Sequence, residues 1–122
     1  MLLLIAAVLL IFIGLVHSYL GEKYLIQRLF RRDNLPVILG SVENTKRTIR
    51  FAWHITTIAW WGIAGVLVVM TLSPGKTYDA VLWMCVIVFG ISGLIPLSQG
   101  GRHKSWIVFL TIAGFCAVAA IN

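Results

Sequence analysis

Three histidines, His17, His54 and His103, together with Glu22 and a set of arginines, hold most of the chemistry open to this 122-residue chain. His17 and His54 lie inside long apolar stretches, where an ionisable residue is costly and marks a functional site by default. At about 100° per residue, Arg47, Arg50, His54, Thr57 and Trp61 fall within one helical arc of roughly 80°. Gly14, His17, Ser18 and Gly21 share a face of an earlier helix, with Glu22 at its edge. Both polar stripes start at the same membrane level and must avoid lipid, so they are expected to face each other.

Four chemistries suit such a set. His17 and His54 with Glu22 could ligate a divalent transition metal such as Zn or Fe. Two histidines from facing helices could instead hold a haem axially. Arg47, Arg50 and Arg102 could bind an anion or a lipid headgroup. His and Glu could relay protons. The working expectation is an inner-side site of His17, Ser18, Glu22, Arg50, His54, His103 and Trp61. In it His17 and His54 bind or relay, Glu22 orients a histidine or completes a ligand set, and Arg50 balances charge. At a metal site the imidazoles must be neutral, so metal binding is expected to weaken below about pH 6.5. The ordinary reading of each residue is an interfacial histidine bonded to a neighbour, a snorkelling carboxylate and a packing tryptophan. No H-E-x-x-H, C-x-x-C or dense histidine box is present. Cys85 and Cys116, at comparable depth near the outer ends of two helices, read as packing residues, with a soft-metal site or disulfide as the sharper option.

The elements that must place these residues follow from composition. Apolar residues make up 60% of the chain and charged ones 11%, which excludes a disordered chain and an ordinary soluble domain. Two cysteines cannot staple a small secreted fold. Cutting at every charge leaves four long runs, Met1–Gly21, Phe51–Gly75, Ala80–Gly101 and Ser105–Asn122. About 20 apolar residues cross the hydrocarbon as a helix, so the expected fold is an all-α membrane protein. Its four transmembrane helices form one up-down antiparallel bundle over 1–122, with spans near 2–21, 48–72, 79–98 and 104–121. The first run has no basic residue before it and no A-x-A-like site after it, so it reads as a retained helix, not a signal peptide.

Nine of the ten basic residues fall in the first and third connections. The positive-inside rule makes that side cytoplasmic and both termini non-cytoplasmic, in a membrane of the bacterial inner type. The net charge of +6 therefore reads as orientation and contact with anionic lipids, not as nucleic-acid binding. In the 22–47 connection, Leu25, Ile26, Leu29 and Phe30 share one face while Arg28, Arg31 and Arg32 suit headgroup contact, predicting a short interfacial amphipathic helix. Pro36 should break it, and Ser41 or Asn44 should cap the next helix. Pro96 should end or kink the third helix. Gly14, Ser18 and Gly21, Gly90 and Gly93, and Ala113 and Ala117 offer small faces for helix packing. Three function classes fit: a membrane protein binding a metal, haem or other small ligand; a small-ion or small-solute transporter or channel, working as a homo-oligomer; and an accessory subunit of a larger membrane complex.

Overall fold

A computed structural model describes residues 1–122. The chain is entirely helical: α1 (Leu2–Leu20), α2 (Val42–Leu72), α3 (Thr77–Ser98) and α4 (Ser105–Ile121), with short turns between the last three. Three apolar helical stretches, Leu2–Leu29, Val42–Leu72 and Pro74–Ser98, are long enough to cross a membrane. The fourth, α4, is apolar but has 17 residues, rising about 25 Å. Val8, Phe12 and Phe115 are 65%, 62% and 73% exposed, so lipid must cover the outer faces of the helices. The chain is a small multi-helix integral membrane protein.

The interfacial helix expected after residue 22 is not a separate element. Helical backbone continues from α1 through a wide π-turn, Gly21–Ile26, into one α-turn, Gln27–Leu29. No residue there breaks a helix, and Gly21 keeps right-handed helical angles (φ −61°, ψ −46°). The helical backbone ends at Leu29, before Pro36 is reached, and the loop after Pro36 is clamped to the start of α2. The Thr45 hydroxyl donates to Pro36 O (2.6 Å) and accepts from Ile38 N (2.9 Å), while the Asn44 amide donates to Leu39 O (2.8 Å). Ser41 is the cap, accepting from Asn44 N at 3.1 Å. Leu39 (φ +54°) and Gly40 (φ +86°) turn the chain through the left-handed region before it.

The helix backbones pack in chain order, α1 on α2, α2 on α3 and α3 on α4, and α1 does not meet α4. The Phe51 ring of α2 also packs 6.3 Å from that of Phe109 on α4, so α2 presents one side to α1 and another to α3 and α4. Small residues set each seam, because lipid supplies no hydrophobic drive between helices. On α1, Gly14 lies under Trp61 and Gly21 under Trp53; a Cβ on Gly14 would sit 2.5 Å from Trp61 Nε1. Gly62 and Gly65 accept Val88 and Met84 at the next seam, and Gly93 accepts Leu110 at the last. Gly90 has open space, so it is not a packing glycine. Pro96 sits within α3, which continues to Ser98; beyond it Gly101 N closes the end by donating to Pro96 O at 3.0 Å.

Substituting Gly14 or Gly21 by Leu should overpack the α1–α2 seam and cost about 1–3 kcal/mol. Gly90→Ala and Gly114→Ala, with nothing within 4 Å, should be neutral or slightly stabilising. Unfolding midpoints in detergent micelles check this, and equal destabilisation by all four would refute the seam.

Candidate functional site

The α1–α2 seam is where the polar residues meet. Three backbone carbonyls of α1 accept from α2 side chains: Ile11 O from Trp61 Nε1 (3.3 Å), Gly14 O from the Thr57 hydroxyl (3.3 Å) and His17 O from Trp53 Nε1 (3.1 Å). The acceptors advance by three residues along α1 while the donors retreat by four along α2, as antiparallel helices in close contact require. Gly14 and Gly21 make the approach possible by leaving room for the indoles.

Two adjacent residues of α1 then meet two pairs on α2. Ser18 Oγ lies 2.9 Å from His54 Nδ1 and 2.8 Å from Thr57 Oγ1. His17 Nε2 lies 3.0 Å from the Thr56 hydroxyl and 3.3 Å from Trp53 O. The Thr56 hydroxyl also donates to Trp53 O at 2.7 Å. The His17 ring is thus held beside both. It stacks on Trp53 with centroids 4.4 Å apart and planes 3° from parallel. Trp60 closes another side at 5.0 Å.

The inner end of the seam is ionic. Arg50 grips Glu22 with two parallel bonds, Nη2 to Oε1 at 2.8 Å and Nε to Oε2 at 3.1 Å. Glu22 Oε2 also faces His54 Nε2 at 3.3 Å. Arg50 lies 5.1 Å from the Phe30 ring centroid, which fixes its guanidinium from another direction. The Glu22 and His54 side chains are 28% and 30% exposed, so water screens the pair only in part.

The expected residues therefore separate into three places. Ser18, Glu22, Arg50 and His54 form one bonded network, and Trp61 plugs its outer side by bonding Ile11 O. His17 belongs to a neighbouring assembly with Trp53 and Thr56. His103 lies apart, bonded through Nδ1 to Ser105 Oγ at 2.7 Å. No group of three or more His, Cys, Asp or Glu side chains is placed to hold a metal. His17, His54 and Glu22 are not gathered as such a group: His17 Nε2 faces the Thr56 hydroxyl, and the two His54 nitrogens face Ser18 and Glu22. Cys85 and Cys116 are free thiols, each half-buried. Arg28, Arg31 and Arg32 form no ion pair and lie exposed along the helical extension and its end. Trp53 and Thr56 are the residues that sequence reasoning passed over. The signal was their position beside His54 and Thr57, matching the neighbours His17 and Ser18.

Ser18→Ala would leave His54 Nδ1 without its partner and cost about 1–3 kcal/mol. A double-mutant cycle on Glu22→Gln and Arg50→Gln should give a coupling near 1 kcal/mol that shrinks with salt, as for a half-exposed pair. Additive effects measured by detergent unfolding would show that the two do not act together. Comparison with protein-family models, with curated proteins and with solved structures finds no match for this chain.

Proposed function

We propose that residues 1–122 form a single four-span membrane domain whose inner-side ligand is a proton, held on His54 between Glu22 and Ser18. The basic 22–47 connection and the turn carrying Arg102 and Lys104 face the cytoplasm, and both termini face away from it. At 17 residues, α4 is within the range of lengths that span a bilayer. The charge asymmetry supports this orientation, with nine basic residues against three acidic ones on the inner side.

One observation carries the proton reading: both ring nitrogens of His54 face hydrogen-bonding oxygens. Gly14 O can only accept, so Thr57 donates to it, Ser18 donates to Thr57, and Ser18 Oγ is left to accept from His54 Nδ1–H. Glu22 as a carboxylate accepts from Nε2–H. The set is complete only with protons on both nitrogens. When the Nδ1 proton leaves, Ser18 turns its hydroxyl to that nitrogen, Thr57 turns to Ser18, and only the bond to Gly14 O is given up. Two hydroxyls thus register the charge on His54. Glu22 touches both His54 and the inner aqueous face and is the exchange point, while Arg50 keeps the group near neutrality. An intramembrane His–Glu pair of this kind is the usual element of a proton relay.

Nitrogen-15 NMR of histidine-labelled protein in bilayers tests the reading. His54 should show two hydrogen-bonded ring nitrogens, with Nε2–H retained whenever the Nδ1 proton is lost. Ser18→Ala should abolish that tautomer preference. A His54 ring that stays neutral, or one that keeps Nδ1–H instead, would overturn it.

A further inference from the structure

A second cluster lies on the other side of α2, independent of His54. Arg47 is three residues from Arg50 on the same helix, yet it turns towards α3, where its Nη1 donates to Gln99 O at 3.1 Å. Arg102, in the turn after α3, reaches back to Leu39 O at 3.4 Å. His103 follows it, with Phe51 packed 6.5 Å from its ring centroid. These side chains, with Thr48, line one half-open cleft between the start of α2, the inner end of α3 and the 33–41 loop. Its enclosed part is about 20 Å³, room for one oxygen-sized group.

The donors that remain point to the ligand. Arg47 uses Nε on Glu43 and Nη1 on Gln99, leaving Nη2 unbonded. Arg102 uses Nη1 alone, leaving Nε and Nη2. His103 uses Nδ1 alone, leaving Nε2, and the Thr48 hydroxyl makes no bond. Glu43, paired with Arg47 at Nε, has its side chain 62% exposed, and no acid is among the residues lining the cleft. Leu39, a non-glycine residue at φ +54°, holds its carbonyl where Asn44 and Arg102 both donate to it. A left-handed conformation at such a residue is uncommon and here fixes Arg102 at the rim.

We infer that this cleft binds a phosphoryl oxyanion, with one oxygen seated among Arg47, Arg102 and His103. Two guanidinium groups converging from separate segments, with N–H groups left over, are the arrangement that recognises phosphate. Arg50 takes no part, since Glu22 already occupies its fork. The phosphate is supplied either by an anionic lipid headgroup or by free phosphate in the aqueous phase, and the test separates the two.

The full chain is held in maltoside micelles, which contain no phosphate, and the His103 ring is followed by nitrogen-15 NMR while inorganic phosphate is added. A parallel series adds phosphatidylglycerol to the micelles instead. Saturable shifts of His103 in either series support the site, and the series that responds names the source. Arg47→Gln with Arg102→Gln should weaken binding at least about tenfold, because two charge-assisted contacts are lost. Arg102→Lys, which keeps the charge and the loop contact but not the fork, should weaken it by a smaller factor. In the inorganic-phosphate series, Arg28→Gln, Arg31→Gln and Arg32→Gln together, removing more charge outside the cleft, should leave it within about twofold. No shift in either series overturns the inference, as does equal weakening by the two sets of substitutions. Unchanged His54 signals in every variant show that the fold survives.

Discussion

The α1–α2 seam depends on backbone carbonyls of one helix being reached by side chains of another. Ile11 O, Gly14 O and His17 O each receive a donor from α2, two of them indole N–H groups. A helix normally hides its carbonyls behind side chains. Here Gly14 and Gly21 remove that cover, and Trp61 and Trp53 lie in the space. Hydrogen bonds between helices in lipid contribute about 0.6 kcal/mol each on average, so the ladder matters more for registration than for gross stability. Once α1 is registered on α2, Ser18 must meet His54 and Thr57, and Glu22 must meet Arg50.

α2 is the strut of the molecule because it is the only helix that meets both α1 and α3. Its inner turns carry Arg47 and Arg50, which a sequence stripe places together. Their long side chains separate them, one to Gln99 O beside α3 and the other to Glu22 below α1. Two ionic assemblies of different character therefore share one end of the helix. The first is closed on itself through the bonds joining Ser18, His54, Glu22 and Arg50. The second keeps unbonded N–H groups and an open mouth, which suits an anion.

Much of the element order was legible from the residues. Long uncharged runs mark the apolar helices, and Ser41 caps α2. The facing of the two polar stripes was legible too, since both had to leave the lipid. Two features were not. The separate interfacial helix was expected because the amphipathic pattern at residues 24–32 differs from the apolar run before it, yet a change of pattern does not break a helix and a π-turn has no composition of its own. The convergence of three histidines was expected from their common depth, but depth does not fix rotation about a helix axis. His17 and Ser18 differ by about 100° and so meet different pairs on α2. That difference turned a hoped-for ligand set into a stacked, bonded His17 and a bridging His54.

The central claim is that His54 sits against the Glu22 carboxylate. The chain has only two glutamates and three histidines, so rotational-echo double resonance between histidine ring nitrogen-15 and glutamate carboxyl carbon-13 in bilayers reads that contact almost without overlap. With Nε2 and Oε2 3.3 Å apart, strong dephasing of one histidine signal is predicted, and it should vanish in Glu22→Gln labelled in the same way but persist in Glu43→Gln. A histidine spectrum with no such dephasing in the wild-type chain would contradict the account.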